Sequence, residues 1–153
     1  MNTQIPTTLS YDKRMDGFAN PETWFAFHVS YGETDCAGVA YYGEYNHWFE
    51  RSRSQLIREQ GMSYAEVEEK DIILPVRQAY CRYLYPARYD DELFVRCAIE
   101  KWGRASVTFT YQIWKQMDAP TLVATGYTEH AVVSISTGKP VRIPQWLKDI
   151  FHQ

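Results

Sequence analysis

The pattern of apolar and polar positions divides the chain into one strand, one long helix and a run of strands. Residues 24–30, WFAFHVS, concentrate aromatic and β-branched side chains and predict a first strand. Tyr45, Trp48, Phe49, Ser52, Leu56 and Ile57 recur near the 3.6-residue period, with Arg51, Arg53, Arg58 and Glu59 opposite. They predict a helix from Gly43 to Gln60, stopped by Gly61. Ser63 and Glu66 have capping-box spacing and predict a short helical turn over 63–69. After Asp71 the period changes to two. Strands are expected over 72–83, bent near Pro75, then over 92–101, 105–115 and 121–136. Trp102-Gly103 and Met117–Pro120 supply turns of hairpin length, and 144–151 reads as a terminal helix.

Hairpin-length connections require antiparallel pairing, so a doubly wound parallel sheet is not expected. The simplest architecture is α+β, one sheet of about five strands wrapped around one long helix. Residues 22–153 would form that single domain, and the polar stretch 1–21 a preceding arm. The outer face of such a sheet needs cover, which points to assembly of copies.

Composition narrows the function. The chain has 153 residues, a formal net charge of -3 and a pI near 5.8, without the basic footprint of a nucleic-acid binder. No apolar run approaches the ~20 residues of a membrane span, and the first residues lack an apolar signal core, so a cytoplasmic location is expected. Cys36, Cys81 and Cys97 are widely spaced and form no C-x-x-C pair, and the four histidines are scattered. No metal and no redox cofactor are expected.

The chemistry-bearing stretch is Tyr31-Gly-Glu-Thr-Asp35-Cys-Ala-Gly38-Val-Ala-Tyr-Tyr42. It sets a carboxylate in a small-residue loop just before the long helix. Free N–H groups at a helix start can hold a developing oxyanion, and a nearby carboxylate can act as nucleophile or general base. Gly38 would let a substrate approach the backbone. Taken alone, an Asp before a helix is more often a cap or turn residue.

The pattern from Tyr31 to Arg53, Y-G-E-T-D-C-A-G-V-A-Y-Y-x-x-Y-x-x-W-F-E-x-x-R, resembles the signature of the hot-dog-fold acyl-CoA thioesterases. It is most similar to the 4-hydroxybenzoyl-CoA thioesterase family, including members attached to the Tol–Pal system. Tyr85-Pro86-Ala87 with Asp90-Asp91-Glu92, and Glu100-Lys101-Trp102-Gly103-Arg104, resemble further family segments. The resemblance covers about residues 24–150. It implies a hot-dog fold, an acyl-CoA substrate, a homodimer or homotetramer, and sites shared between subunits. Asp35 then matches the essential aspartate and the Tyr42 N–H the donor that polarises the thioester carbonyl. Tyr31 matches a tyrosine near the site, and Glu50 an acidic residue that contacts the acyl group in one subgroup. Lys101 and Arg104 fall on the hairpin beside the coenzyme A phosphates. Many Tol–Pal-associated members have His where this chain has Tyr42, which counts against a general acid there.

Plainer readings stand beside these. Glu50 could pair with Arg51 or Arg53 on the helix surface, and Lys101 and Arg104 could be a solvated turn. Cys36 with His47 would be the pair for a thiol hydrolase. An acyl-thioester hydratase or dehydratase on the same fold, and a non-catalytic acyl-binding module, are the rival functions.

Overall fold

The computed structural model describes residues 6, 8–10 and 17–152. Strand β1 (Glu22–His28) leads through a single 3-10 turn (Tyr31–Glu33) and a loop to helix α1 (Glu44–Glu59). Helix α2 (Tyr64–Glu69), β2 (Ile72–Ile73), β3 (Val76–Tyr83), β4 (Glu92–Trp102), β5 (Ser106–Gln116), β6 (Pro120–Ala131), β7 (Val133–Ser134) and α3 (Gln145–Ile150) follow. Five strands pair antiparallel in the order β1-β4-β5-β6-β3, and β2 pairs with β7 in a small second sheet.

The expected elements are present, with three differences. The first strand is Glu22–His28 rather than 24–30, because Glu22 and Thr23 already pair with Ala98 and Cys97 and the pairing ends at His28. The strand expected over 72–83 is two strands, parted at Leu74-Pro75, where proline cannot donate to the ladder. The strand expected over 121–136 likewise breaks at Val132. The capping box at Ser63 and Glu66 forms as its spacing predicts.

Helix α1 lies against one face of the five-stranded sheet. Trp48, Phe49, Leu56 and Ile57 are buried against Leu93, Val95, Cys97, Val107, Phe109, Tyr111 and Ile113, the alternate positions of β4 and β5. Phe49 stacks on Tyr111 with ring centroids 4.2 Å apart. Gly126 makes this closeness feasible: a Cβ there would sit 2.5 Å from the Tyr80 carbonyl oxygen and 2.7 Å from the Phe49 ring.

The other face of the sheet is partly covered by this chain's own arm. Leu9 and Trp24 are buried with Phe94, and Trp114 packs against them. Every residue of β4 from Leu93 to Ile99 is accordingly buried within one chain, where cover of the outer face was expected from assembly of copies. Arg96, on the covered face, is fully buried. It pairs with the buried Glu22 carboxylate, donates to Gln112 at 3.2 Å, and lies over the rings of Phe18 and Trp24. Deleting one partner of such a pair strands a buried charge and costs about 3–5 kcal/mol. The arm is therefore tied to the centre of the sheet. Residues 1–5, 7 and 11–16 of the arm lie outside the described ones.

Candidate active site

The loop between β1 and α1 is built on Glu33. Ser30 and Glu33 have the same capping-box spacing as Ser63 and Glu66: the Ser30 N–H and Oγ donate to Glu33 Oε1 at 2.8 and 2.9 Å. The other carboxylate oxygen accepts from the indole Nε1 of Trp48, on α1, at 2.8 Å. The Glu33 carbonyl accepts from the Tyr41 N–H at 2.8 Å. One residue thus ties the start of the loop, its end and the helix together. Partial burial works to raise the Glu33 pKa. Hydrogen bonds from the Ser30 backbone, Trp48 and Ser30 Oγ, with the charge of Arg51, outweigh it and hold the carboxyl below its usual 4.5.

Between those anchors the chain makes a tight reversal. The Asp35 N–H donates to the Val39 carbonyl, the Gly38 N–H donates to the Asp35 carbonyl, and Thr34 bridges Ala40. Gly38 sits at φ +79°, and a Cβ there would meet only Arg88 Nη1 at 4.0 Å. Glycine is favoured there by backbone conformation, and the space beside it is open. Asp35 Oδ1 accepts from the Ala37 N–H at 2.8 Å and the Val39 N–H at 3.4 Å. Its Oδ2 accepts nothing among the described residues, and the side chain is exposed. The aspartate is both a turn residue and a presented carboxylate.

Asp35 and Tyr42 line one cleft of about 370 Å³ with Ala40, Tyr45, Tyr83 and Pro86. Tyr42 precedes Gly43, the N-cap of α1, so the expected donor stands just ahead of the helix. Its N–H meets no acceptor among the described residues, and the positive end of a 16-residue helix points the same way. Tyr83 Oη donates to the Tyr42 carbonyl at 3.1 Å and fixes the peptide that follows. Buried Tyr45 packs edge-on to Tyr83 and forms the floor. Its pKa is pushed up to about 12 by burial, with the Cys81 thiol adding to the rise and the Ala87 backbone opposing it, so it stays neutral.

The other expected site residues are elsewhere in this chain. Tyr31 is 78% exposed and packs edge-on to Tyr89 outside the cleft. Glu50 faces a separate groove, and its partner is His47, at 3.3 Å, rather than Arg51 or Arg53. Lys101 lies at a bulge of β4, and Arg104 in the β4–β5 turn, both exposed. Cys36 is exposed, with no hydrogen bond to His47 among the described residues, so the thiol–imidazole pair does not form. No group of three His, Cys, Asp or Glu side chains among the described residues could hold a metal ion. Sequence reasoning missed Glu33, Tyr45 and Tyr83. The Ser30-x-x-Glu33 spacing was the available signal for the first.

A model of the thioesterase-like superfamily matches residues 29–151. The chain belongs to that superfamily. It is 27% identical over 129 residues to the acyl-CoA thioesterase YbgC of Haemophilus influenzae, covering 84% of this chain and 93% of the relative. Among solved structures, the DHNA-CoA thioesterase of Staphylococcus aureus superposes with a TM-score of 0.76 at 32% identity, over 84% of this chain and 85% of the other. The 4-hydroxybenzoyl-CoA thioesterase of Pseudomonas sp. strain CBS-3, at 18% identity, shares the hot-dog fold with a TM-score of 0.76, over 84% of this chain and 98% of the other. The superfamily member described here therefore carries its Asp35 cleft on a thioesterase scaffold.

The Glu33 carboxylate should make stability pH-dependent. A depressed folded-state pKa stabilises above the unfolded value near 4.5, and that contribution fades as pH falls through the folded pKa. Glu33→Gln should therefore lower the melting temperature at neutral pH, and the gap to wild type should close in melts taken progressively below pH 4.5. A gap independent of pH would mean that the carboxylate charge is not what holds the loop.

Proposed function

We propose that this thioesterase-superfamily enzyme hydrolyses acyl-CoA thioesters in the Asp35 cleft, with Asp35 as nucleophile or general base and the Tyr42 N–H as oxyanion donor. The observation that carries the reading is the meeting, in one cleft, of an exposed carboxylate oxygen and an unmatched backbone donor at a helix start. Their chemistry suits a carbonyl under attack. The thioester oxygen would accept from Tyr42, and the positive end of α1 would favour the charge that develops there. Asp35 Oδ1 is held by two backbone N–H groups, which leaves Oδ2 for the chemistry. In one course Oδ2 attacks the carbonyl carbon, expels the coenzyme A thiolate and leaves an acyl anhydride that water opens. In the other it takes the proton of the attacking water. Both give free acid and coenzyme A.

Hydration of an enoyl thioester would need a paired imidazole and carboxylate. His47 and Glu50 are such a pair, but neither lines the Asp35 cleft, which favours hydrolysis.

The site is completed, on this reading, by a second copy of the chain. Strand β3 is an edge of the sheet, exposed along its length except at Cys81, and Val76, Tyr80 and Tyr83 are each more than 45% exposed. Unpaired edges and apolar surface of this kind are ordinarily covered. A homodimer, or a homotetramer of two such dimers, covers them. It would also let Lys101 and Arg104 of one chain neutralise the coenzyme A phosphates at the Asp35 site of the other.

Asp35→Asn should lower kcat by at least ~100-fold, the scale of losing a positioned acid–base or nucleophilic group, while Cys36→Ala keeps most activity. The check is thiol release from acyl-CoA substrates. A fully active Asp35→Asn enzyme, or a folded but inactive Cys36→Ala enzyme, would move the chemistry off the carboxylate.

The shared site is tested by complementation. Mixing Asp35→Asn chains with Lys101→Ala, Arg104→Ala chains yields hybrids in which one site carries both defects and the other neither. Activity should rise above either parent after subunit exchange. Verified hybrids with no regained activity would contradict the sharing.

A further inference from the structure

A second groove follows the same side of α1 away from the Asp35 cleft, and its far end is chemically distinctive. Asn46, Glu50 and Arg53 succeed one another along α1 beyond Tyr42, while Tyr83, Ala79 and Val76 succeed one another along β3 in the reverse direction. The cleft holds Tyr42 and Tyr83, and a groove of about 360 Å³ holds Asn46, Glu50, Arg53, Ala79 and Val76. Beyond it a cavity of about 160 Å³ is bounded by Glu50, Arg53, Tyr64, Leu74, Phe109 and His130. At 1.5 Å of rise per residue, Arg53 stands ~16 Å along the helix from Tyr42.

The polar groups behind this cavity are satisfied in one direction only. His130 Nδ1 lies 2.8 Å from the Leu74 carbonyl, which can only accept, so Nδ1 carries the proton and Nε2 accepts from Thr128 Oγ1 at 2.8 Å. The Thr128 oxygen then accepts from Tyr111 Oη at 2.6 Å, and Tyr111 Oη accepts from Arg53 Nη1 at 3.4 Å. Burial, reinforced by Arg53 and opposed by the Leu74 hydrogen bond, pushes the His130 pKa down to about 4, so the imidazole is neutral. The relay ends at a half-buried guanidinium. Arg53 has five N–H donors, and that one long bond is its only hydrogen bond among the described residues. No carboxylate lies within ion-pair distance of it there, since Glu50 is taken by His47.

Resting on the thioesterase reading above, we propose that Arg53 is a specificity residue at the end of an acyl groove along α1 and β3. It selects extended acyl groups that carry a hydrogen-bond acceptor, such as a hydroxyl, at the end remote from the thioester. A plain alkyl end would cover the guanidinium donors without meeting them, whereas an oxygen at that place accepts from them. Glu50, on the same wall, would accept from a hydroxyl in turn. The end of the chain is thus read by a donor and an acceptor together.

The test compares a medium-chain acyl-CoA with its ω-hydroxy counterpart. Both kcat/KM in the wild type and Kd in the Asp35→Asn background are measured, each with and without Arg53→Met. The hydroxylated substrate should be favoured about ten-fold or more, the effect of one hydrogen bond to a charged donor. Arg53→Met should bring that ratio close to one, while Arg58→Met, an exposed cation of the same helix outside the cavity, should keep it. Should Arg53→Met fail to fold, Arg53→Gln, a shorter and uncharged side chain with two N–H donors, should reduce the same ratio. A wild type that prefers the plain chain would overturn the proposal. So would an Arg53 variant that weakens both substrates equally, as a subunit-contact or packing role predicts. Absence of turnover with every thioester would sink the hydrolase reading instead, and the Kd ratio would still decide the role of Arg53.

Discussion

The Glu33 carboxylate is the tie on which the geometry of the cleft depends. The catalytic reading needs a loop carboxylate and a helix-start donor held at fixed separation, although they belong to different local structures. The reversal from Asp35 to Val39 is closed by its own hydrogen bonds and could tilt as a unit. Glu33 removes that freedom. It is joined to the end of β1 through Ser30, to α1 through Trp48, and to the residue before Tyr42 through its own carbonyl. Trp48 has to be buried for the core and its indole N–H has to find an acceptor there. One buried aromatic residue therefore serves packing and site geometry at once.

The rest of the fold supplies a rigid base for that tie. Helix α1 is pressed onto the sheet through Phe49, Tyr111 and the space left by Gly126, so its N-terminal end has little freedom to shift. The described part of the arm covers part of the far face of the sheet around the Glu22–Arg96 pair, and the β3 edge with its exposed tyrosines is an open margin. The cleft and the groove beyond it both lie along that margin. A partner chain paired there would roof them, excluding water from a reaction that gains from a low dielectric.

Most of the fold was legible in the sequence because the helix and the hairpins carry clear periods. The apolar positions of α1, and the alternation of Val107, Phe109, Tyr111 and Ile113, are those the structure buries. What periodicity could not carry was the second face of β4. Arg96 alternates with the apolar positions of that strand, and it is buried because residues far away in sequence fold over it. Of the site, Asp35 and Tyr42 were legible through a local motif, and they do share a cleft. Tyr45 and Tyr83 enter it through contact of helix and strand, which a single sequence does not display. Glu50, Lys101 and Arg104 are remote from the cleft within one chain, so their expected roles depend on the assembly.

The most direct measurement of the central claim is a crystal structure with a non-hydrolysable acyl-CoA analogue. The account predicts the analogue's carbonyl oxygen within hydrogen-bond distance of the Tyr42 N–H, and Asp35 Oδ2 beside the carbonyl carbon or one water away from it. A carbonyl bound elsewhere, with Asp35 Oδ2 and the Tyr42 N–H both facing solvent, would contradict it.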